Sequence, residues 1–308
     1  LFGFLAIGIL ATGNINSFEI NKEVFWQASQ IGQDNRIIPI MGFTLIAAIG
    51  TSLVGSLFAA DAWYNVTYLS EEVINPRKNV PLSLFFGTLI VSVIYMLTNF
   101  VYIKILPLSG SPDGADVLSR GIQFATDDRV ATSAMSVVFG DYAAVIMAIF
   151  IMVSTFSCNH GLIMAGPRVY YAMAKDGLFF RKVGEINKKG VPGFALAVQC
   201  VWSVLLCLSG TYGNLLDYVI FAVLIFFSLT ILAIFVLRVK QPDIPRPYKA
   251  FGYPFIPAIY ILTTVLIMVI LLIYKPNYTF PGLGIVLLGI PVFYLWKKYS
   301  KTPDLNEE

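Results

Sequence analysis

The chain is predicted to be an all-α, multi-pass integral membrane protein, and three observations carry that reading. Of its 308 residues, 57% are hydrophobic and only 13% charged, where a soluble domain is about 25% charged. Mean hydropathy is +0.76. The apolar residues gather in blocks near 20 residues long, and a helix rising about 1.5 Å per residue needs that length to cross ~30 Å of hydrocarbon. The blocks lack the apolar–polar alternation that the strands of a closed barrel require.

Seven blocks are long enough to matter: 43–70, 82–106, 142–164, 194–208, 215–237, 256–274 and 282–296. An eighth apolar piece, 1–12, would make only ~18 Å of helix, too short to span. The chain opens on Leu1 with no charged leader region, so residues 1–13 are expected to be the end of a truncated helix in a longer protein. Residues 14–42 read as an outer loop rich in Asn, Gln and Glu. The motif Asn75-Pro76-Arg77-Lys78-Asn79-Val80-Pro81 reads as a turn before the second span. Ser109-Gly110-Ser111-Pro112-Asp113-Gly114 must turn, and 116–139 sets apolar among polar residues as a short pair of surface helices would. Gly166-Pro167 to Lys175-Asp176-Gly177 is expected to be a short interfacial helix opened by proline and stopped by glycine. Gln241-Pro242-Asp243-Ile244-Pro245-Arg246-Pro247-Tyr248 holds too much proline for a helix. That loop, 238–253, separates the last two spans, within 254–297, from those before, and a tail runs over 298–308.

Orientation follows from Lys and Arg, which collect on the cytoplasmic side of membrane proteins. The connections after alternate spans hold 15 of the 21 basic residues and the opposite side holds 6. This predicts a cytoplasmic C-terminus. The net charge of +3 reflects the same bias and points to no nucleic-acid partner. Cys158, Cys200 and Cys207 fall inside apolar blocks, where they are expected as buried small hydrophobes. With His160 the only histidine, nothing implies a metal or cofactor. The sequon at Asn277 is close to the expected bilayer edge, a poor acceptor for a glycan.

One block is interrupted. Between residues 45 and 72 the apolar run is broken by Phe58-Ala59-Ala60-Asp61-Ala62-Trp63-Tyr64-Asn65, with a carboxylate at mid-membrane depth. A charge there costs at least ~3 kcal/mol by insertion scales, so it faces a cavity or a partner. Small residues beside it allow the backbone to unwind and offer its own amides and carbonyls to a solute. Secondary transporters build midplane sites from discontinuous helices of this kind.

Three stretches in register resemble the amino acid–polyamine–organocation superfamily, within it the L-type amino acid transporter branch and its bacterial relatives. They are Phe58–Trp63 with the following Tyr68-Leu69-Ser70-Glu71-Glu72 and Asn75–Pro81; Gly161 through Gly177; and Arg246-Pro247-Tyr248 with Gly252-Tyr253-Pro254 and Gly289-Ile290-Pro291. The resemblance covers essentially the whole chain. It implies a LeuT-type five-plus-five inverted-repeat fold of twelve helices, of which the end of helix 5 and helices 6–12 are present. Residues 43–237 would then be the second repeat, helices 6–10. Helices 1–5 would be the missing partners of this chain. The glycine-broken first helix that binds the substrate carboxylate would be among them.

The resemblance also assigns roles. Phe58 aligns with an aromatic gate over a bound amino acid, against the alternative of a core aromatic. Ala59, Ala60 and Asp61 would offer backbone groups to the substrate ammonium. The Asp61 carboxylate itself would contact substrate or would cap or pair locally. Trp63 and Asn65 follow on the inner half-helix, Trp63 as pocket floor or packing. Ser154 and Ser157, on one face with Gly161, would line the pocket or an ion position, or bond between helices. Glu71, Glu72 and Arg168 would form an inner gate or remain solvated.

The function expected is secondary active transport of amino acids by alternating access in the cell membrane, as an exchanger or with proton coupling, neutral amino acids favoured. The alternative is a non-transporting amino acid sensor or partner subunit of the same fold; an accessory subunit is left open. An enzyme is not expected. Val138-Phe139-Gly140-Asp141 lacks the first glycine of intramembrane aspartyl proteases, Gly50-Thr51-Ser52-Leu53 lacks the last glycine of rhomboid sites, and no His-Glu-x-x-His occurs.

Overall fold

A computed structural model describes residues 17–31, 37–70, 73–188, 190–209, 212–246 and 250–299. The truncated helix expected at 1–13, Glu71, Glu72 and nearly all of the 298–308 tail lie outside them. The chain divides into two compact units, Leu1–Leu45 with Leu82–Gly161, and Ile46–Pro81 with Leu162–Glu308.

In the first unit the described part of the polar stretch 14–42 carries regular elements where a loop is expected. Helix α1 (Ser17–Val24) is followed by two three-residue strands, β1 (Ser29–Ile31) and β2 (Ile37–Pro39), paired antiparallel with Gln30 opposite Ile38. Its role is visible at the end of the long helix α4 (Pro76–Ile105). A helix leaves its last carbonyls without intrahelical partners, and α1 supplies them. Asn21, 1% exposed, donates from Nδ2 to the carbonyls of Ile103 at 2.6 Å and Leu106 at 2.9 Å, and its Oδ1 accepts from the Leu108 amide at 2.7 Å. Ser17 Oγ donates to the Ile105 carbonyl at 3.0 Å. The expected pair of surface helices is present as α5 (Val117–Arg120) and α6 (Val130–Phe139). They close over Val101, Ile105 and Leu106 through Ala134, Val117 and Val130.

The second unit opens on α2 (Phe43–Ala59) beyond its first turn, with the single turn α3 (Asn65–Tyr68) after it. It continues through α8 (Gly193–Ser209), α9 (Tyr212–Lys240), α10 (Phe255–Tyr274) and α11 (Pro276–Tyr299). Helix α9 packs on both α10 and α11. Its core is Val54, Ile220, Phe221, Leu224, Ile267 and Leu271. Gly50 lets α2 approach α10: a Cβ there would lie 2.8 Å from Ile270 Cδ1. The Arg246 guanidinium donates to the carbonyls of Leu237, Gln241, Pro242 and Ile244, closing the C-terminal end of α9 and holding the proline-rich loop against it.

Several expected boundaries move, for local reasons. The turn at 75–81 shrinks to its first residue. Asn75 takes φ 52, its carbonyl receives the amides of Lys78 and Asn79, and Pro76 opens the helix, where a missing N–H costs nothing. The short helix expected at 166–175 is instead the end of one 33-residue helix, α7 (Ala143–Lys175). Pro167 is carried inside it, fully buried, with Gln199 Nε2 reaching the Leu162 carbonyl at 3.4 Å. The carbonyl that Pro167 frees is that of Ile163, one residue on from the one Gln199 reaches. The glycine stop is present at Gly177, φ 71. Helix α11 begins at Pro276 rather than 282 and absorbs the sequon: Thr279 is 2% exposed, its hydroxyl donating to the carbonyls of Leu271 and Lys275. Cys158, Cys200 and Cys207 are free and exposed rather than buried, since a membrane helix can turn a thiol outward to an apolar solvent.

Among the described residues five helical stretches are long and apolar enough to cross a membrane, and α2 and α8 are shorter apolar helices. Of the most apolar windows, that of α4 is 0% buried and that of α10 28%. Apolar residues facing out are at no disadvantage against lipid tails.

Candidate functional site

The interruption expected near Asp61 is present. Helix α2 ends at Ala59, and Ala60 through Tyr64 form turns before α3. The last α-type bond runs from the Ala60 amide to Ser56 O at 3.0 Å. The ladder then tightens, from the Asp61 amide to Phe58 O at 3.1 Å and the Asn65 amide to Ala62 O at 3.1 Å. Between them Ala62 takes φ 67. The left-handed region costs an L-residue with a Cβ roughly 1–2 kcal/mol, so the chain holds a strained residue where a glycine would relax. Thr67 secures the far side, its amide at 2.8 Å and its hydroxyl at 2.7 Å from the Tyr64 carbonyl.

Asp61 is half-buried. Its Oδ1 is buried and has no hydrogen-bond partner among the described residues. The carboxylate interacts with the backbone of Ala62, so the strained residue and the charge belong to one turn.

Around this turn stands an aromatic cluster. Trp63 and Tyr64 meet edge-on with centroids 5.8 Å apart, and Tyr64 meets Tyr68 at 5.6 Å. Both Trp63 and Tyr64 reach Phe227 of α9, at 6.1 Å and 5.2 Å. Such pairs contribute ~0.5–1.5 kcal/mol each beyond their burial, enough together to offset the strain at Ala62. Tyr64 and Tyr68 lie four residues apart, a spacing that brings side chains together on a helical turn. Nothing near Phe227 in the sequence marks it; only the packing of α9 brings it there.

The remaining residues fall as follows. Phe58, on the last turn of α2, packs against the core cluster of Val54 and α9. Ala59 and Ala60 are exposed, Asn65 partly so, and Trp63 is 47% exposed. Ser154 and Ser157 are exposed on α7, within the first unit. Arg168 is partly buried near the other end of α7, within the second unit. Glu71 and Glu72 lie outside the described residues. Among the described residues no group of His, Cys, Asp or Glu could hold a metal ion.

Long apolar helices, with one of them broken at a carboxylate, define a multi-pass membrane protein with a discontinuous helix. The chain belongs to the amino acid permease family, whose pattern it matches over residues 1–293, and this membership carries the LeuT-type fold. It is 29% identical over 286 residues to the human large neutral amino acids transporter small subunit 2, covering 91% of this chain and 49% of that protein. To the serine/threonine exchanger SteT of Bacillus subtilis it is 28% identical over 252 residues, 81% and 55% of the two chains. To the rat b(0,+)-type amino acid transporter 1 it is 25% identical over 292 residues, 93% and 52%. The chain thus spans about half the length of the curated relatives it matches. These relatives are transporters, not enzymes.

Proposed function

We propose that this chain forms part of a secondary amino acid transporter that works by alternating access, exchanging one neutral amino acid for another. The observation that carries the reading is the interruption at Ala60–Tyr64 within a membrane-length apolar segment. Backbone turned out of its helical ladder at that depth is tolerated only where it lies in protein or lines a water-filled cavity, and such breaks hold substrate in transporters. The names of the relatives, neutral amino acid and serine/threonine carriers among them, support the substrate class.

In this reading Phe58 closes over the bound amino acid, and Ala59, Ala60 and Asp61 offer backbone groups to its ammonium. Trp63 and Asn65 shape the inner side of the pocket. Ser154 and Ser157 line the pocket or an ion position, and Glu71, Glu72 and Arg168 form the inner gate. The partners are the amino acid, the bilayer and the family's helices 1–5. The protein sits in the cell membrane with its C-terminus in the cytoplasm, as the 15-to-6 division of basic residues favours.

The test is counterflow in proteoliposomes made with the full-length protein that carries this sequence. Saturable, trans-stimulated uptake of neutral amino acids is expected, with most of it lost in Phe58→Ala. Normal flux in that variant would return Phe58 to a packing role. No counterflow of any amino acid in the native protein would sink the transport reading and leave a sensor of the same fold.

A further inference from the structure

We propose that the segment between α7 and α8, centred on the turn Arg181–Gly184, is a docking surface for anionic phospholipid headgroups of the leaflet it borders. Residues 176–192 hold four Lys or Arg against two acidic residues. The turn is pinned from below: Val183 is 0% exposed, packed with Ala174 of α7 and Ala195 of α8. Gly184 sits so close that a Cβ there would lie 3.1 Å from Ala174 Cβ. With Val183 turned in, Arg181 and Lys182 are left exposed, as is Lys188. Among the described residues none of the three is in an ion pair, nor are Asp176 and Glu185. Lys182 Nζ instead stands 5.1 Å from the centre of the Phe194 ring.

The same surface is apolar in part. Phe180 is 57% and Ile186 50% exposed. Trp296 at the end of α11 joins them, donating from Nε1 to the Gly177 carbonyl at 3.0 Å and meeting Phe180 edge-on at 4.8 Å. Cations without carboxylate partners, exposed apolar side chains and an anchored tryptophan, all beside the ends of apolar helices, fit the headgroup zone of an anionic leaflet. A soluble phosphate would satisfy the cations but leave Phe180 and Ile186 in water, so the lipid is the occupant favoured. This inference needs only that the helices cross a membrane and is independent of what the protein transports.

The test uses the full-length protein in vesicles containing photoactivatable phosphatidylglycerol or photoactivatable phosphatidylcholine, with adducts mapped by mass spectrometry on peptides covering residues 176–188. The phosphatidylglycerol yield should exceed the phosphatidylcholine yield severalfold at low salt and fall at high salt. Replacing Arg181→Gln, Lys182→Gln and Lys188→Gln together should bring the ratio toward one, since each cation removed weakens the attraction to the anionic headgroups. Arg181→Lys, Lys182→Arg and Lys188→Arg should keep the preference, which separates charge from folding. Equal yields in the native protein, or an undiminished preference in the Gln variant, would overturn the proposal. So would competition by inorganic phosphate beyond that of chloride at equal ionic strength, which would mark a site for the free ion.

Discussion

The rings of Tyr64 and Phe227 meet edge-on, 5.2 Å between centroids and 82° between planes. One residue belongs to the interrupted segment and the other to the middle of α9, so the break is held in shape by a helix far along the chain. An unwound turn at membrane depth needs such support, because its own backbone supplies too few bonds to fix it.

Phe227→Ala removes partners of both Trp63 and Tyr64. We expect a loss of ~1–3 kcal/mol, two aromatic pairs at the usual value, read as a lower melting temperature of the purified protein. Phe227→Tyr, which keeps the ring, should lie within error of the native protein. If Phe227→Ala melts normally, the cluster does not support the turn.

Ala62 offers a test of strain. Ala62→Gly relieves a left-handed residue and is expected to raise stability by up to ~1 kcal/mol after the entropy of the added glycine is counted. Ala62→Val should lower it by ~1–3 kcal/mol, since branching at Cβ makes this backbone harder to adopt. The same melting experiment decides; a destabilised glycine variant would mean that this turn does not hold Ala62 at positive φ.

At Asp61 the buried Oδ1 has no partner among the described residues. Asp61→Asn is expected to change uptake of cationic amino acids far more than of neutral ones in the reconstituted full-length protein. Equal effects on both classes would assign the carboxylate to holding the turn.

Asn21 closes the end of α4 with three hydrogen bonds. Asn21→Ala leaves buried backbone groups unpaired, at ~1–3 kcal/mol each where no water reaches them. Asn21→Asp can still accept from Leu108 but cannot donate. Faster amide exchange confined to residues 101–108 would bear this out, and unchanged exchange there in Asn21→Ala would refute it.

The segment that carries α5 and α6 has a pH dependence. Asp116 caps α5, its Oδ1 accepting from the Ser119 amide at 2.7 Å while Ser119 Oγ accepts from the Asp116 amide at 3.1 Å. The Ser119 hydroxyl and amide hold its carboxyl below the ordinary aspartate value. A lowered folded-state value means the stabilisation is present above the unfolded pKa and is lost as pH falls through the folded one. Exchange protection of the Ser119 amide should therefore drop on acidification below the carboxylate range and stay flat above it; an Asp116→Asn variant should show no such step.

What the sequence determined by itself is what depends on local composition. Hydrophobic blocks of bilayer length mark the spans because a helix in lipid must satisfy its own backbone and show apolar side chains. The interruption at residues 58–65 was legible because one carboxylate and a run of small residues stand where neither belongs. Asn75, Gly177 and the pair α5–α6 were legible from turn and cap chemistry. The tertiary structure decided what depends on contacts remote in sequence. Pro167 reads as a helix start until Gln199 is seen beside it, and the loop 14–42 reads as featureless until Ser17 and Asn21 are found on the last carbonyls of α4. Phe227 is one phenylalanine among many along α9 until Trp63 and Tyr64 meet it. A residue's type limits which bonds it can make, but only the packing of helices chooses the partner.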